Sequence, residues 1–232
     1  VDEVISLAKH KMVDGILITP PCDSSEHLMN KLHAMKHPFI QISPRKKRSI
    51  YPVVSATDEQ GAYEATRYLL TLGHRRIGYI QGDIDHQSSW ERLSGYKSAL
   101  KEAGIEFDDA LYRQGNWTYK SGLREGRYLL TMQDLPSAIM SSDETVAGVI
   151  QAGWKLGLHC PEDFSIVGYD DIPLAHQLTP PLTTVKQHIS QISQVAMTVL
   201  IEQLLPDLDK EISIEVPTEL IIRGSTRIYD NG

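Results

Sequence analysis

The chain has 232 residues, of which 41% are hydrophobic, and it can bury a substantial core. Its formal net charge of −7 argues against nucleic-acid binding by this chain alone, because phosphate contacts need clustered cations. No apolar run approaches the roughly eighteen residues of a membrane span, and the N-terminus lacks the pattern of a signal peptide, so we expect a cytoplasmic protein.

Five short apolar runs predict β-strands. They lie at residues 13–19, 39–43, 76–82, 137–142 and 164–170. Each run is continuously apolar rather than alternating, which is typical of strands buried on both faces of a parallel sheet and covered by helices.

Four segments in which apolar residues recur at helical spacing predict helices. They are residues 58–72, 91–103 and 144–156, and a fourth that carries Ile192, Val195 and Val199 and ends before Pro206. Asp58 is a candidate N-cap, and Gly73 and Gly104 are candidate stops. The repeated order of strand and helix predicts an α/β fold built from βαβ units.

Polar residues stand at the ends of two predicted strands. Asp170 and Asp171 end the segment IVGYDD, and Ser142 and Asp143 end SAIMSSD. Ligands of open parallel sheets bind at the carboxyl ends of the strands. Carboxylates at that edge are suited to accepting hydrogen bonds from neutral hydroxyl groups.

An arginine and an aromatic residue extend this candidate site. Arg92, after the segment DIDHQSSWE, can donate hydrogen bonds in a fixed fork. The C–H face of a polyhydroxylated ligand lies flat on an aromatic ring, which Trp117 in GNWTY can supply.

Each of these residues also has a purely structural interpretation. Asp143 could be a helix N-cap, and Asp171 could cap the turn before Pro173. Trp117 could belong to the core, and periodicity alone favours a surface position for Arg92.

Sequence motifs give no support to an enzyme or a metal site. The chain has no G-x-S-x-G elbow, glycine-rich phosphate loop or H-E-x-x-H. His33 and His37 have the spacing of paired metal ligands, but no acidic third ligand lies nearby, so a solvated helix end is favoured. Asp170 and Asp171 are adjacent on a strand and point to opposite faces, so they cannot flank one glycosidic bond.

Cysteines and the basic residues have simple interpretations. Cys22 and Cys160 lie far apart and in no metal-binding spacing, which predicts unpaired thiols in a reducing compartment. The basic run at residues 45–48 is interpreted as a solvated loop in preference to a DNA-binding patch.

Six segments, taken together and in order, resemble the effector-binding core of the lactose/galactose repressor family of bacterial transcriptional regulators. They are GHRRIGYIQG (73–82), ERLSGYKSAL (91–100), SSDETVAG (141–148), FSIVGYDD (164–171), TPPLTTVKQ (179–187) and ELIIRGST (219–226). The resemblance covers nearly the whole chain.

The resemblance implies the fold of type I periplasmic binding proteins, in which two similar parallel-sheet lobes hold a small molecule in a cleft between them. The N-terminal lobe would comprise residues 1–56 and 188–213, and the C-terminal lobe residues 57–187 and 214–232. The chain resembles the family from a point inside the first lobe. We therefore expect the family's first strand-helix-strand, which includes a strand at the sheet centre, and its DNA-binding helix-turn-helix headpiece to lie outside this sequence.

The same resemblance assigns ligand-binding roles. Arg92 in ERLSGY matches the arginine that grips ligand hydroxyls, and Asp170 in VGYDD matches the carboxylate opposite it. Trp117 matches an aromatic residue that packs against a sugar face. Ser88 matches a polar loop residue near the arginine, and Gln187 in VKQ lies at a chain crossing beside the cleft.

Three further residues are placed by the resemblance. Ser142 stands where many relatives have asparagine, and Gln41, at the end of FIQIS, is a candidate ligand contact. Asp58 is expected to be structural. We expect loss of the Arg92 or Asp170 side chain to abolish effector binding with little loss of fold, and loss of the Asp171 side chain chiefly to affect stability.

The implied function is that of the effector-sensing core of a repressor, with no catalysis and no cofactor. A homodimer would bind a small sugar, and the shift in its population of states would change the affinity of the headpieces for operator DNA. A periplasmic sugar receptor of a transport system is the alternative, but the C-terminal segment ELIIRGST resembles the repressors.

Overall fold

The structure is a computed structural model that describes residues 1–45, 50–203 and 213–230. Its strands are β1 (Ile16–Ile18), β2 (Phe39–Ile42), β3 (Val53–Ala56), β4 (Ile77–Gln81), β5 (Tyr112–Gln114), β6 (Ala138–Met140), β7 (Ser165–Asp170), β8 (Thr183–Lys186), β9 (Ser213–Val216) and β10 (Glu219–Ile221). Its α-helices are α1 (Asp2–Lys9), α2 (Glu26–Ala34), α3 (Asp58–Thr71), α4 (Gln87–Glu102), α5 (Tyr119–Leu130), α6 (Asp143–Leu156), α7 (Pro173–Gln177) and α8 (Ile189–Gln203).

The chain forms two compact units, each built on its own sheet. The first unit comprises Val1–Thr57, His86–Ser88 and His188–Pro217. The second comprises Asp58–Asp85, Ser89–Gln187 and Thr218–Gly232. The predicted class, α/β with two parallel-sheet lobes, is confirmed.

The first unit contains a four-stranded sheet in the order β1-β2-β3-β9, with every neighbouring pair parallel. Helix α8 packs its apolar stripe, which includes Ile192 and Ala196, on Ile40 and Val54 of the sheet. The residues predicted to face inward on this helix are therefore at the core, whereas its predicted end at Pro206 lies outside the described residues.

The second unit contains a six-stranded sheet in the order β10-β8-β7-β6-β4-β5, in which only β10 is antiparallel to its neighbour. The sheet has a hydrophobic core on each face, and successive residues of β6 pack into opposite cores. Ala138 and Met140 pack with α3 and α4, while Ile139 packs with α5 and α6. Both faces of β6 are thus buried, which explains why its sequence is continuously apolar.

Helix boundaries differ from the predicted ones where the ends are polar. Helix α4 begins at Gln87, four residues before its predicted start, so Arg92 lies in its second turn. Helix α6 has Ser142 at the N-cap position, which makes Asp143 the first helical residue and not the cap. Gly157 ends α6 with φ +77°, a conformation that glycine adopts without strain.

Candidate functional site

Arg92 is a buried residue of α4 that contacts two carboxylates. Its side chain is 9% exposed, Nε donates to Oδ1 of Asp58 over 2.6 Å, and Nη2 lies 3.3 Å from Oδ1 of Asp170. Burial alone would lower the pKa of the guanidinium, but the two carboxylates raise it above its ordinary value. The interpretation of Arg92 as a surface residue is therefore wrong, and its charge is fixed in position.

Two aromatic rings flank this guanidinium. Its Cζ lies 3.7 Å from the centroid of the Tyr169 ring and 5.7 Å from that of Trp117. Tyr169 is buried in β7, and its hydroxyl donates to the backbone oxygen of Asp58 over 3.3 Å. Stacking against aromatic faces stabilises a cation that has lost part of its hydration.

Trp117 follows β5 in a backbone conformation with φ +61°, which is unusual for a residue with a side chain. Its indole lies directly on Gly82, where a Cβ atom would stand 1.8 Å from Nε1. The absence of a side chain at Gly82 therefore creates the place for the ring. Trp117 is half-buried, so one part of it faces the protein and another faces solvent.

Asp170 ends β7 and accepts hydrogen bonds from two side chains. Besides the contact with Arg92, the Nε2 atom of Gln187 donates to Oδ1. The parallel pairing of β7 with β8 sets Asp170 beside Lys186, which brings Gln187 within reach. Burial raises the pKa of Asp170, while Arg92 and Gln187 oppose that rise. The side chain is still 28% exposed, so its oxygens can accept from a ligand.

Arg92, Trp117 and Tyr169 line a pocket that lies within the second unit. It is small and partly open to solvent. Its polar lining comes from Arg92, Ser89, Ser141 and Ser142, and the Trp117 and Tyr169 rings form apolar walls. A pocket with apolar walls and a few fixed polar groups is typical of a small-molecule site.

Asp143 and Asp171 act within the protein. Asp143 is fully buried and accepts from the hydroxyl of Thr184 over 2.6 Å and from the amide of Ile172 over 2.9 Å. Burial raises the pKa of Asp143 to about 7. Asp171 pairs with Arg223 over 2.7 Å, so its carboxylate connects the end of β7 to the segment after β10.

A family model described as periplasmic binding protein-like domain matches residues 66–226. The transcriptional repressor PurR of Vibrio vulnificus is 32% identical over 232 residues, which cover 97% of this chain and 68% of that protein. The regulator DegA of Bacillus subtilis is 32% identical over 224 residues, covering 95% and 66%. The chain thus spans about two thirds of the length of these relatives.

Solved structures of transcriptional regulators also resemble this chain. A cellobiose complex of the transcriptional regulator CelR superimposes with a TM-score of 0.87 at 28% identity, covering 97% of this chain and 69% of that one. A LacI-family regulator from Enterococcus faecium with bound ribose superimposes with a TM-score of 0.86 at 26% identity, covering 98% and 86%.

The chain belongs to the lactose/galactose repressor family. The resemblance inferred from the six sequence segments is confirmed. The relatives named above are transcription regulators, so the effector-binding core of a LacI-family regulator fits this chain better than a periplasmic transport receptor.

The second unit brings together five of the residues to which the family resemblance assigns ligand contacts: Arg92, Asp170, Trp117, Ser142 and Gln187. Ser142 is buried, and its hydroxyl shares a hydrogen bond of 2.9 Å with that of Thr145. The ligand-binding roles of all five stay predictions.

Two predicted contacts belong to the first unit. Ser88 is half-buried and is the second residue of α4, so the prediction that it lies in a loop is wrong. Gln41 is buried in β2 with 4% exposure. Their roles in this LacI-family core also stay predictions.

Two residues that hold Arg92 in place, Tyr169 and Asp58, were not predicted to do so from the sequence. Tyr169 stands next to Asp170 in VGYDD, and its aromatic ring at that position indicates a stacking partner for an arginine. Asp58 was predicted only as the structural N-cap of a helix, whereas it is the first residue of α3. Nothing in the sequence indicates that this end of α3 lies beside α4.

The remaining candidates for other chemistry do not assemble. No group of three or more His, Cys, Asp or Glu among the described residues could hold a metal ion. His37 lies beyond the end of α2, so it does not share a helix face with His33. Cys22 and Cys160 are free thiols.

In the part of the chain that the structure describes, no helix is both long and apolar enough to cross a bilayer. Residues 46–48 of the basic run lie outside the described residues.

Proposed function

We propose that the pocket of the second unit binds a small sugar or sugar-like effector. The observation that carries this proposal is the guanidinium of Arg92, held by Asp58 and Asp170 and flanked by Tyr169 and Trp117. Arginine has five N–H donors in a rigid fork, and the two carboxylates engage only Nε and one Nη atom. A fixed donor beside the partly exposed acceptor Asp170 suits the alternating donor and acceptor needs of adjacent hydroxyl groups.

Trp117 supports a carbohydrate over other polar ligands. A sugar has an apolar C–H face as well as hydroxyl groups, and a half-buried indole next to the arginine can cover that face. The structurally similar CelR and Enterococcus faecium regulators are described with cellobiose and with ribose, which supports the same ligand class here.

The sensing function would be allosteric and not catalytic. We propose that the two units are the two lobes of the family, and that the effector shifts the population of their arrangements by its differential affinity for them. The curated relatives are named HTH-type regulators, which supports operator DNA as a partner through a headpiece outside this sequence. A homodimer in the cytoplasm, acting without a cofactor, completes the proposal.

Isothermal titration calorimetry tests the ligand class. The probes are D-ribose, D-glucose, cellobiose and maltose, with adenosine and hypoxanthine as a purine comparison. We expect saturable binding of at least one sugar. Asp170→Asn should weaken that binding by roughly 10-fold or more, because a charged hydrogen bond contributes about 1.5–3 kcal/mol.

Asp171→Asn is the matched control, because it makes the same change in the neighbouring carboxylate, which pairs with Arg223 and not with Arg92. Circular dichroism verifies that each variant is folded. Binding of a purine without binding of any sugar would overturn the ligand class. Equal affinity in wild type and Asp170→Asn would overturn the assignment of the pocket.

A further inference from the structure

Ser89 carries a buried hydroxyl group that the family assignment leaves unexplained. It is the third residue of α4 and is 1% exposed. Its Oγ makes no hydrogen bond to any of the described residues. Buried hydroxyl groups are normally paired, because desolvation without a partner is unfavourable.

The surroundings of Ser89 indicate what its partner would be. Ser89 lines the same pocket as Arg92, and the two residues are three positions apart on α4, so they share a face of the helix. The other two serines of the pocket are bonded inside the protein. Ser141 donates to the backbone oxygen of Ile80 over 2.7 Å, and the hydroxyl groups of Ser142 and Thr145 are hydrogen-bonded to each other over 2.9 Å.

We infer that the Ser89 hydroxyl is a specificity-determining contact that hydrogen-bonds a hydroxyl group of the bound sugar. This inference rests on the proposed function. Arg92 only donates and Asp170, when ionised, only accepts, whereas a serine hydroxyl does both. Ser89 therefore supplies a contact that neither charged residue can give. A site with a buried hydroxyl rejects an analogue that lacks the matching group, because its own polar atom is then left unpaired.

The binding test compares Ser89→Ala with Ser98→Ala. Ser98 is exposed on the same helix, so its variant reports the general effect of replacing serine by alanine in α4. The calorimetric probes are the four sugars named above, with 2-deoxy-D-ribose and 2-deoxy-D-glucose added. We expect Ser89→Ala to weaken sugar binding by about 5- to 10-fold, in line with the loss of one neutral hydrogen bond. Ser98→Ala should leave the affinity unchanged.

A stability measurement without sugar separates this role from a structural one. Removing a hydroxyl that has no partner should leave the Tm of Ser89→Ala equal to or above that of Ser98→Ala. A Tm clearly below that of the control would show a hydrogen bond within the protein and would overturn the inference.

The outcomes distinguish the two proposals. Unchanged sugar affinity in Ser89→Ala overturns the role of Ser89 and leaves the proposed function standing. Absence of binding of all four sugars to the wild-type chain overturns the sugar-binding proposal, and the inference with it. Weaker binding in Ser89→Ala alone, with no loss of Tm relative to Ser98→Ala, supports both.

Discussion

Arg92 and Asp58 form a buried ion pair, with 2.6 Å between Nε and Oδ1 and with side chains that are 9% and 2% exposed. The two residues come from α4 and from the first position of α3. The arginine that the family resemblance assigns to ligand binding is thus also part of the packing between two helices. In contrast to the expectation from sequence, its removal should reduce stability as well as binding.

Asp58→Asn tests this structural role. The substitution keeps the shape of the side chain but removes the nearer of the two charges that compensate Arg92. We expect the free energy of unfolding to fall by roughly 3 kcal/mol, because the buried guanidinium then keeps only the more distant carboxylate of Asp170. Urea denaturation followed by circular dichroism measures this change.

Asp134→Asn provides the control for Asp58→Asn. Asp134 also pairs with an arginine, Arg76, over 3.1 Å, but its side chain is 81% exposed. Exposed pairs contribute less than about 1 kcal/mol, so this variant should be close to wild type. If the free energy of unfolding falls by the same small amount in both variants, the ion pair of Asp58 with Arg92 does not stabilise the fold.

Gly82→Ala should displace the Trp117 indole. The new Cβ would lie 1.8 Å from Nε1 and 2.0 Å from Cε2, so the ring must move. We expect a loss of roughly 1–3 kcal/mol in the free energy of unfolding, typical of overpacking, and a red-shifted tryptophan emission. The measurement uses the Trp90→Phe/Trp154→Phe background, in which Trp117 is the one remaining tryptophan.

Gly104→Ala is a suitable comparison for Gly82→Ala. Gly104 has φ +68°, and nothing lies within 4 Å of a Cβ placed there. Alanine at this position strains the backbone but should not change the emission spectrum. An unshifted spectrum in Gly82→Ala as well would mean that the indole does not rest on Gly82.

Asp143 should make stability depend on pH. Its pKa is about 7 in the folded protein and 3.8 ordinarily, so the folded state keeps a proton that the unfolded state releases between those values. The free energy of unfolding should therefore fall as pH rises from about 4 to about 7 and level off above that, by at most about 4 kcal/mol. In Asp143→Asn this contribution to the slope should be absent.

Urea denaturation at pH 4, 5, 6, 7 and 8 measures the slope attributed to Asp143. The difference between wild type and Asp143→Asn gives the contribution of Asp143 together with its interaction with Asp170 and Asp171. Asp109→Asn, at an exposed position, should keep the wild-type slope. Parallel curves for wild type and Asp143→Asn would contradict the raised pKa.

Hydrophobic pattern predicted those parts of the fold that are buried on both sides. Strands β4, β6 and β7 lie inside their predicted segments, because a strand covered by helices on both faces must be apolar at every position. Strands with more polar residues, such as β5, β8 and β9, were not predicted. Strand β5 reads Tyr-Arg-Gln at the edge of its sheet, and such a sequence carries no strand signal of its own.

The candidate site was predictable only in part. Asp170 and Arg92 stand in segments that resemble the family, and their contact of 3.3 Å agrees with a shared site. The ion pair with Asp58 and the buried hydroxyl of Ser89 depend on how α3 and α4 pack, and no local pattern encodes that contact. Periodicity also misplaced Arg92, because it cannot distinguish a surface charge from a buried and paired one.

The last three residues of β7 and Asp171, which follows them, each contact a different group, so the register of this strand must be kept. Gly168 leaves room for the Asp143 carboxylate, whose Oδ1 would lie 2.1 Å from a Cβ, and Tyr169 stacks on Arg92. Asp170 ends the strand with φ +117° and contacts Arg92, and Asp171, the next residue, pairs with Arg223. Deletion of one residue before Gly168 would shift all four at once. Tyr169 would then stand where glycine leaves room for Asp143, and Asp170 would stand where the tyrosine ring stacks on Arg92. A change in the length of this segment would therefore disrupt the proposed ligand site and the packing that supports it together.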